Sequence, residues 1–303
     1  MRILLVGWSS PLHGESTAGD VLATQAVAER LRADGHEVDE AWSPAMHLAY
    51  GPRGGLLYDE LDPQAYSTVV WVCGPVAGPR VVEFHERFAH ARRLAVGVSV
   101  LDPADPAVTG FDVVVPRDAP GRDPQRDLAA RPVLDGLDVL GVFLTHGQGE
   151  YGTRRRHEEV TKVLGDWLGG LDVARLELET RLDPRDWRMP ATAEQVLAIV
   201  ARLDVVVTTR LHGMVLALRS GVPALAVDPV AGGGKVTAQA RAWGWPCVLT
   251  AEGLDAAALD EQLAWCRSGS GRAAARSAQE VAATAGGEQL DALVRALGAA
   301  AGE

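Results

Sequence analysis

Apolar runs rich in β-branched residues alternate along this chain with segments of helical period, and that alternation constrains its fold more than any other feature. Parallel strands need a crossover between them, most simply a helix, so the pattern predicts βαβ units. Arg2–Val6 reads as a first strand, and Ala18–Ala33 as an amphipathic helix with Leu22, Ala26, Val27 and Leu31 on one face and Gly35 as its stop. Strands are predicted at 36–40, 68–73, 94–100 and 112–115, with a helix over 81–91. The stretch 118–132 is rich in Pro, Arg and Asp without apolar period, which reads as a hinge with a short helix.

The pattern then restarts. Strands are expected at 139–145, 172–179, 204–208, 224–227 and 247–249, with helices at 158–168, 211–220 and from the glycine run 232–234 to 243. Thr192 with Gln195 three residues on predicts a helix over 193–201, and the chain from 255 onward reads as helical with a break at 268–271. The fold class is therefore α/β, with two Rossmann-like domains, 1–132 and 133–303, and a boundary near Pro132.

A chain of 303 residues that is 47% hydrophobic and 23% charged can core two domains. A net charge of -11 excludes a nucleic-acid surface as the default, so an anionic small molecule needs a local cationic cluster. The opening apolar run is too short for a signal peptide, and no stretch reaches about 18 uninterrupted apolar residues, which predicts a cytoplasmic chain with no membrane span. Cys73, Cys247 and Cys266 show no metal-ligand spacing and read as free structural thiols. No metal site is expected.

The strongest chemical signal is the run Val205-Val206-Val207-Thr208-Thr209-Arg210-Leu211-His212-Gly213, an apolar strand that passes through a polar turn into a helix. Ligands of parallel sheets bind beyond the carboxyl ends of strands, where the next helix presents free N–H groups to anions. Arg210 can grip a carboxylate or phosphate with two parallel hydrogen bonds, and His212 can carry a proton near neutral pH. The plainer reading pairs Arg210 with a nearby carboxylate and leaves His212 to satisfy a helix end. Lys235, after three glycines, is either a phosphate contact or an ordinary surface charge, and its surroundings lack the hydroxyl residue of a Walker motif. The segment 13–20 after the first strand reads as an acceptor loop, although Ser16 or Thr17 could simply cap a helix. His146 and Glu150 form either an acceptor-activating pair or a polar surface loop, and Arg154-Arg155-Arg156 either steers anions or opens a solvated helix.

The run Thr208–Gly213, the segment Leu216–Pro223 and the later Gly234-Lys235-Val236 resemble the C-terminal signature of the polysaccharide pyruvyl transferase family. Gly19-Asp20 before a helix and Val115-Pro116-Arg117-Asp118 look like that family's N-terminal motifs. The resemblance implies a GT-B-like fold and transfer of the enolpyruvyl carbons of phosphoenolpyruvate to hydroxyls of a sugar or small acceptor, as in polysaccharide biosynthesis, with phosphate released. By that resemblance Arg210 and the backbone near Leu211 hold phosphoenolpyruvate, His212 is the general acid, and Arg117 is a second anion clamp across an interdomain cleft. Apart from the resemblance, the glycine loop before Lys235 offers it as a phosphate contact, and the acceptor candidates are the Gly19-Asp20 turn and His146, whose stretch Thr145–Gly152 departs from the family's simpler strand end. Phosphoenolpyruvate is then a co-substrate and no resident cofactor is implied. A nucleotide-sugar glycosyltransferase of the same architecture, with Arg210 on a diphosphate, and a non-catalytic relative are the alternatives. The acceptor and the oligomeric state stay open.

Overall fold

Fully apolar strands buried on both faces are what a parallel sheet covered by helices requires. The computed structural model describes residues 1–11, 16–130, 136–145, 149–283 and 286–300, and divides the chain into two units, Met1–Leu134 and Asp135–Glu303. The boundary expected near Pro132 lies outside the described residues.

The first unit runs β1 (Arg2–Val6), α1 (Ala18–Ala33), β2 (Glu37–Trp42), α2 (Pro44–Tyr50), β3 (Leu56–Leu57), β4 (Thr68–Val72), α3 (Pro79–Arg87), β5 (Arg92–Ser99), α4 (Pro106–Thr109) and β6 (Val113–Asp118). All paired strands are parallel, in the order β3-β2-β1-β4-β5-β6, a Rossmann order whose direction of winding reverses between β1 and β4. Buried residues of α1 are Val21, Ala23, Thr24, Ala26 and Ala28. The predicted face is thus partly wrong: Leu22 is only half-buried, and small side chains let the helix approach the sheet closely. α2, β3 and α4 went unpredicted because they are short and lack a full apolar period. The predicted helix over 81–91 starts at Pro79 and ends at Arg87, where the chain turns back to β5.

The second unit runs β7 (Val139–Phe143), α5 (His157–Gly170), β8 (Ala174–Glu177), α6 (Ala193–Val200), β9 (Val205–Thr208), α7 (Leu211–Arg219), β10 (Ala224–Asp228), α8 (Lys235–Ala242), β11 (Val248–Thr250), α9 (Ala256–Arg267), α10 (Gly269–Ala282) and α11 (Gly287–Ala300). Its sheet is parallel, in the order β11-β10-β9-β7-β8. Winding reverses between β7 and β9, so the crevice that such a sheet offers a ligand opens beyond the ends of those two strands. β9 and β10 are buried at every position, and Leu140, Phe143, Leu164, Met214 and Leu218 pack with them in one core. The predicted break at 268–271 is one residue wide, because Ser268 closes α9 and its hydroxyl accepts from the Gly271 N–H of α10. Cys73, Cys247 and Cys266 are buried free thiols. Among the described residues no helix is long and apolar enough to cross a membrane.

Candidate active site

Two consecutive threonines build the floor of the crevice. The Thr208 hydroxyl donates to the Phe143 carbonyl (3.0 Å) and accepts from the Arg210 N–H (2.9 Å), and the Thr209 hydroxyl accepts from the Thr145 N–H (2.7 Å). These bonds tie the ends of β7 and β9 together. Gly213 then lets α7 settle onto them, since a Cβ there would meet Thr208 Oγ1 at 2.2 Å and Phe143 Cβ at 3.2 Å. The N-cap of α7 is Arg210 itself, which makes no side-chain capping bond, so the first-turn N–H groups of Leu211, His212 and Gly213 remain available to an anion.

Thr145, Thr180, Arg210, Leu211, His212 and Lys235 line a cavity of about 160 Å³ at this helix end. Arg210, Leu211, His212 and Lys235 are therefore brought together. His212 and Lys235 are both exposed. Lys235 is placed by a residue the sequence reading missed: fully buried Asp228, at the end of β10, accepts from the N–H groups of Val230, Gly234 and Thr237 and so holds the glycine run and the start of α8. The available signal was an aspartate between an apolar strand and a glycine run.

Arg210 is held as the plainer reading expected. Its Nη1 lies 2.6 Å from Glu179 Oε1 and its Nη2 3.0 Å from Glu179 Oε2, while Nε donates to the Leu144 carbonyl (2.8 Å) and Nη1 to the Thr180 hydroxyl (3.3 Å). Three of the guanidinium's five N–H groups thereby donate to protein oxygens, and Nη1 is also ion-paired with Glu179. Glu179 and Thr180 sit just past β8, at the end of the strand the sequence predicted, but nothing in the sequence pairs them with Arg210.

The first unit treats its expected residues differently. Arg117 does not present a free fork: Nε donates to Asp118 (2.8 Å), Nη1 to Asp127 (2.5 Å) and Nη2 to the Ser99 hydroxyl (2.6 Å). Two carboxylates outnumber one guanidinium: the bond from Arg117 holds Asp118 below the usual carboxylate range, and the Ala129 N–H (2.8 Å), with Arg117 second, does the same for Asp127. Asp20 completes a capping box with Thr17, accepting from its N–H (3.0 Å) and hydroxyl (2.8 Å), so Gly19-Asp20 is spent on the first turn of α1. Buried Cys73, at φ 63, follows β4 at the reversal point of this sheet. Burial pushes its thiol up to about 11, and nearby Asp20 and Asp127 act in the same direction. His146 lies outside the described residues, as do residues 12–15 of the expected acceptor loop. Arg155 and Arg156 pair with Glu158 and Glu159 at the start of α5, the solvated-helix reading of that basic run.

Residues 171–229 match the family model of the polysaccharide pyruvyl transferases, which bears out the resemblance drawn from the sequence over that segment. Similar solved structures include spinosyn rhamnosyltransferase SpnG, at 13% identity over 94% of this chain and 96% of that one, with a TM-score of 0.36. CalG4, the calicheamicin glycosyltransferase, is 16% identical over 98% of each chain, with a TM-score of 0.35. MurG of Acinetobacter baumannii is 12% identical over 92% of this chain and 94% of that one, with a TM-score of 0.32. No curated protein matches the sequence.

Proposed function

We propose that this chain moves the enolpyruvyl carbons of phosphoenolpyruvate onto hydroxyls of a sugar-containing acceptor, forming a ketal and releasing phosphate. The family match over residues 171–229 supports a pyruvyl transferase. The observation that carries the donor assignment is the convergence of Arg210, His212 and Lys235 with the first-turn amides of α7 on one small cavity at the reversal point of a parallel sheet.

In this reading Lys235 and the α7 amides take the phosphate, and the carboxylate enters the Arg210 fork by exchanging with Glu179. His212, as imidazolium, protonates the methylene carbon. That step builds positive charge on the central carbon, and the acceptor oxygen attacks it. The C–O bond to phosphate then breaks, a second acceptor hydroxyl adds, and the two hydroxyl protons go to His212 and to the departing phosphate. Fixed positive groups favour that departure because the leaving oxygen gains charge. Phosphoenolpyruvate enters as co-substrate. Arg117 is left out of donor binding because its donors serve Asp118, Asp127 and Ser99. Buried free cysteines fit a reducing compartment, and we assign the reaction to the cytoplasm.

The test is phosphate release from phosphoenolpyruvate with oligosaccharide acceptors in deuterium oxide. One solvent deuteron should appear in the product methyl group, which a glycosyl transfer cannot produce. His212→Ala should lower kcat about 100-fold with KM changed only several-fold, whereas Arg210→Ala should raise the KM for phosphoenolpyruvate about tenfold. Glu179→Gln, a weaker competitor for the fork, should lower that KM. Absence of phosphoenolpyruvate-dependent phosphate release, or full activity of His212→Ala, overturns the reading.

A further inference from the structure

Beside the small cavity, on the other side of the Arg210–Glu179 ion pair, the same sheet end carries a larger one of about 350 Å³. Phe143, Leu178, Val196 and Ile199 give it an apolar floor, while Glu177, Glu179, Arg181 and Arg188 supply charge of both signs. Met189 and Pro190 close it from a loop that follows β8.

The loop is built to hold its shape. Asp183 accepts from the Arg185 N–H (3.0 Å) and pairs with its guanidinium (3.0 Å), and Asp186 repeats the arrangement with Arg188 at 3.1 Å and 2.9 Å. The Asp183 N–H reaches back to the Pro190 carbonyl (3.0 Å), closing the loop on itself. Trp187 stands inside the second clasp, between Asp186 and Arg188, with 93% of its surface exposed. A tryptophan carries a large apolar face that chains ordinarily bury, so an indole held in water on a doubly clasped loop is a presented surface.

We infer that the 181–190 loop and the cavity behind it form an acceptor subsite for a neutral oligosaccharide, with Trp187 stacking on one sugar ring and the cavity holding the next. Carboxylates and guanidiniums that balance one another offer donors and acceptors to hydroxyls while giving a charged ligand no net attraction. Apolar Met189, Pro190 and the Trp187 face suit the C–H face of a pyranose. A ring in the larger cavity lies one ion pair away from the donor cavity, so its hydroxyls arrive where Glu179 leaves Arg210. The choice of a saccharide rests on the pyruvyl transfer reading, but its test does not.

The experiment titrates the full chain, without phosphoenolpyruvate, with neutral tetrasaccharides of glucose, mannose, galactose and N-acetylglucosamine, by calorimetry and saturation-transfer NMR. At least one should bind, and Trp187→Ala should weaken that binding about tenfold, with Trp187→Phe recovering most of it. The thermal midpoint of Trp187→Ala should match the parent, since the indole packs on nothing that stabilises the fold. Failure of every tetrasaccharide to bind, or unchanged binding by Trp187→Ala, overturns the subsite. So does a Trp187-dependent self-association that leaves saccharide binding untouched. A chain that binds saccharide but releases no phosphate from phosphoenolpyruvate would sink the transfer reading and leave this subsite standing.

Discussion

Burial moves two histidines away from ordinary imidazole behaviour, His85 in the first unit and His157 in the second. Desolvation lowers both, and a neighbouring arginine, Arg93 for His85 and Arg155 for His157, acts in the same direction. His85 donates from Nε2 to the Ala107 carbonyl (2.9 Å), and its Nδ1 is buried with no hydrogen-bond partner among the described residues, the pattern of a neutral ring. A folded pKa below the unfolded value means that the unfolded chain binds the extra proton first. The stability tied to the neutral ring is full above the ordinary value of 6.5 and is lost as pH falls through the lowered one. The thermal midpoint should therefore drop between pH 7 and pH 5, and His85→Gln should drop less over the same interval. An identical pH profile for parent and variant would show that His85 does not carry the effect. At this scale the sequence made Arg210, Leu211, His212 and Lys235 legible because all four sit at strand-to-helix junctions, where position implies exposure to a ligand. It hid Glu179, Thr180 and Trp187, whose meaning comes from a neighbour about 30 residues away along the chain or from the clasps around a loop.

Elements long enough to show a period were read nearly to their ends. Ala18–Ala33 was placed to the residue because a capping pattern opens it and a glycine at φ 83 follows it. Strand ends were overrun in several places. Thr68–Val72 stops before Cys73, whose positive φ turns the chain, and Val139–Phe143 stops where Leu144 and Thr145 leave the ladder to serve Arg210 and Thr209. Hydropathy cannot mark such an end, since the residue that leaves a sheet to build a site can be as apolar as one that stays. The glycine run 232–234 shows the same limit, because its shape depends on Asp228 and not on the glycines alone. Asp228→Ala removes the acceptor for three buried or half-buried N–H groups, and each one left unsatisfied costs about 1–3 kcal/mol, so a loss on the order of 3 kcal/mol in urea unfolding is expected. Asp228→Asn, which keeps one acceptor oxygen, should lose less. Because Lys235 rides on this loop, the alanine variant should also raise the KM for phosphoenolpyruvate. A variant with parental stability would mean that water satisfies those N–H groups in place of the carboxylate.

At the scale of the molecule, the two units differ in how their interiors are organised. The first splits its core between the two faces of its sheet, with Trp71 and Phe84 in one cluster and Ile3 and Leu5 in the other, whereas the second gathers both faces into a single cluster from Leu140 to Ala278. Every residue lining the two cavities beside the Arg210–Glu179 ion pair belongs to the second unit. A parallel sheet of five strands with its own continuous core meets the requirement for independent folding, because the ladder and the apolar surface that stabilise it are all local to one stretch of chain. Residues 136–303 expressed alone should therefore unfold cooperatively in urea and give dispersed amide and methyl NMR signals. The final helix α11 adds little to that core: Leu290, Leu293, Val294 and Leu297 are each more than half exposed. Ending the piece at 283 should thus shift its midpoint by no more than about 2 °C, in keeping with the small effect of exposed residues. If 136–303 instead collapses without fixed side-chain signals, the first unit is needed to complete the fold of the second, and the site at the ends of β7 and β9 is not a property of that unit alone.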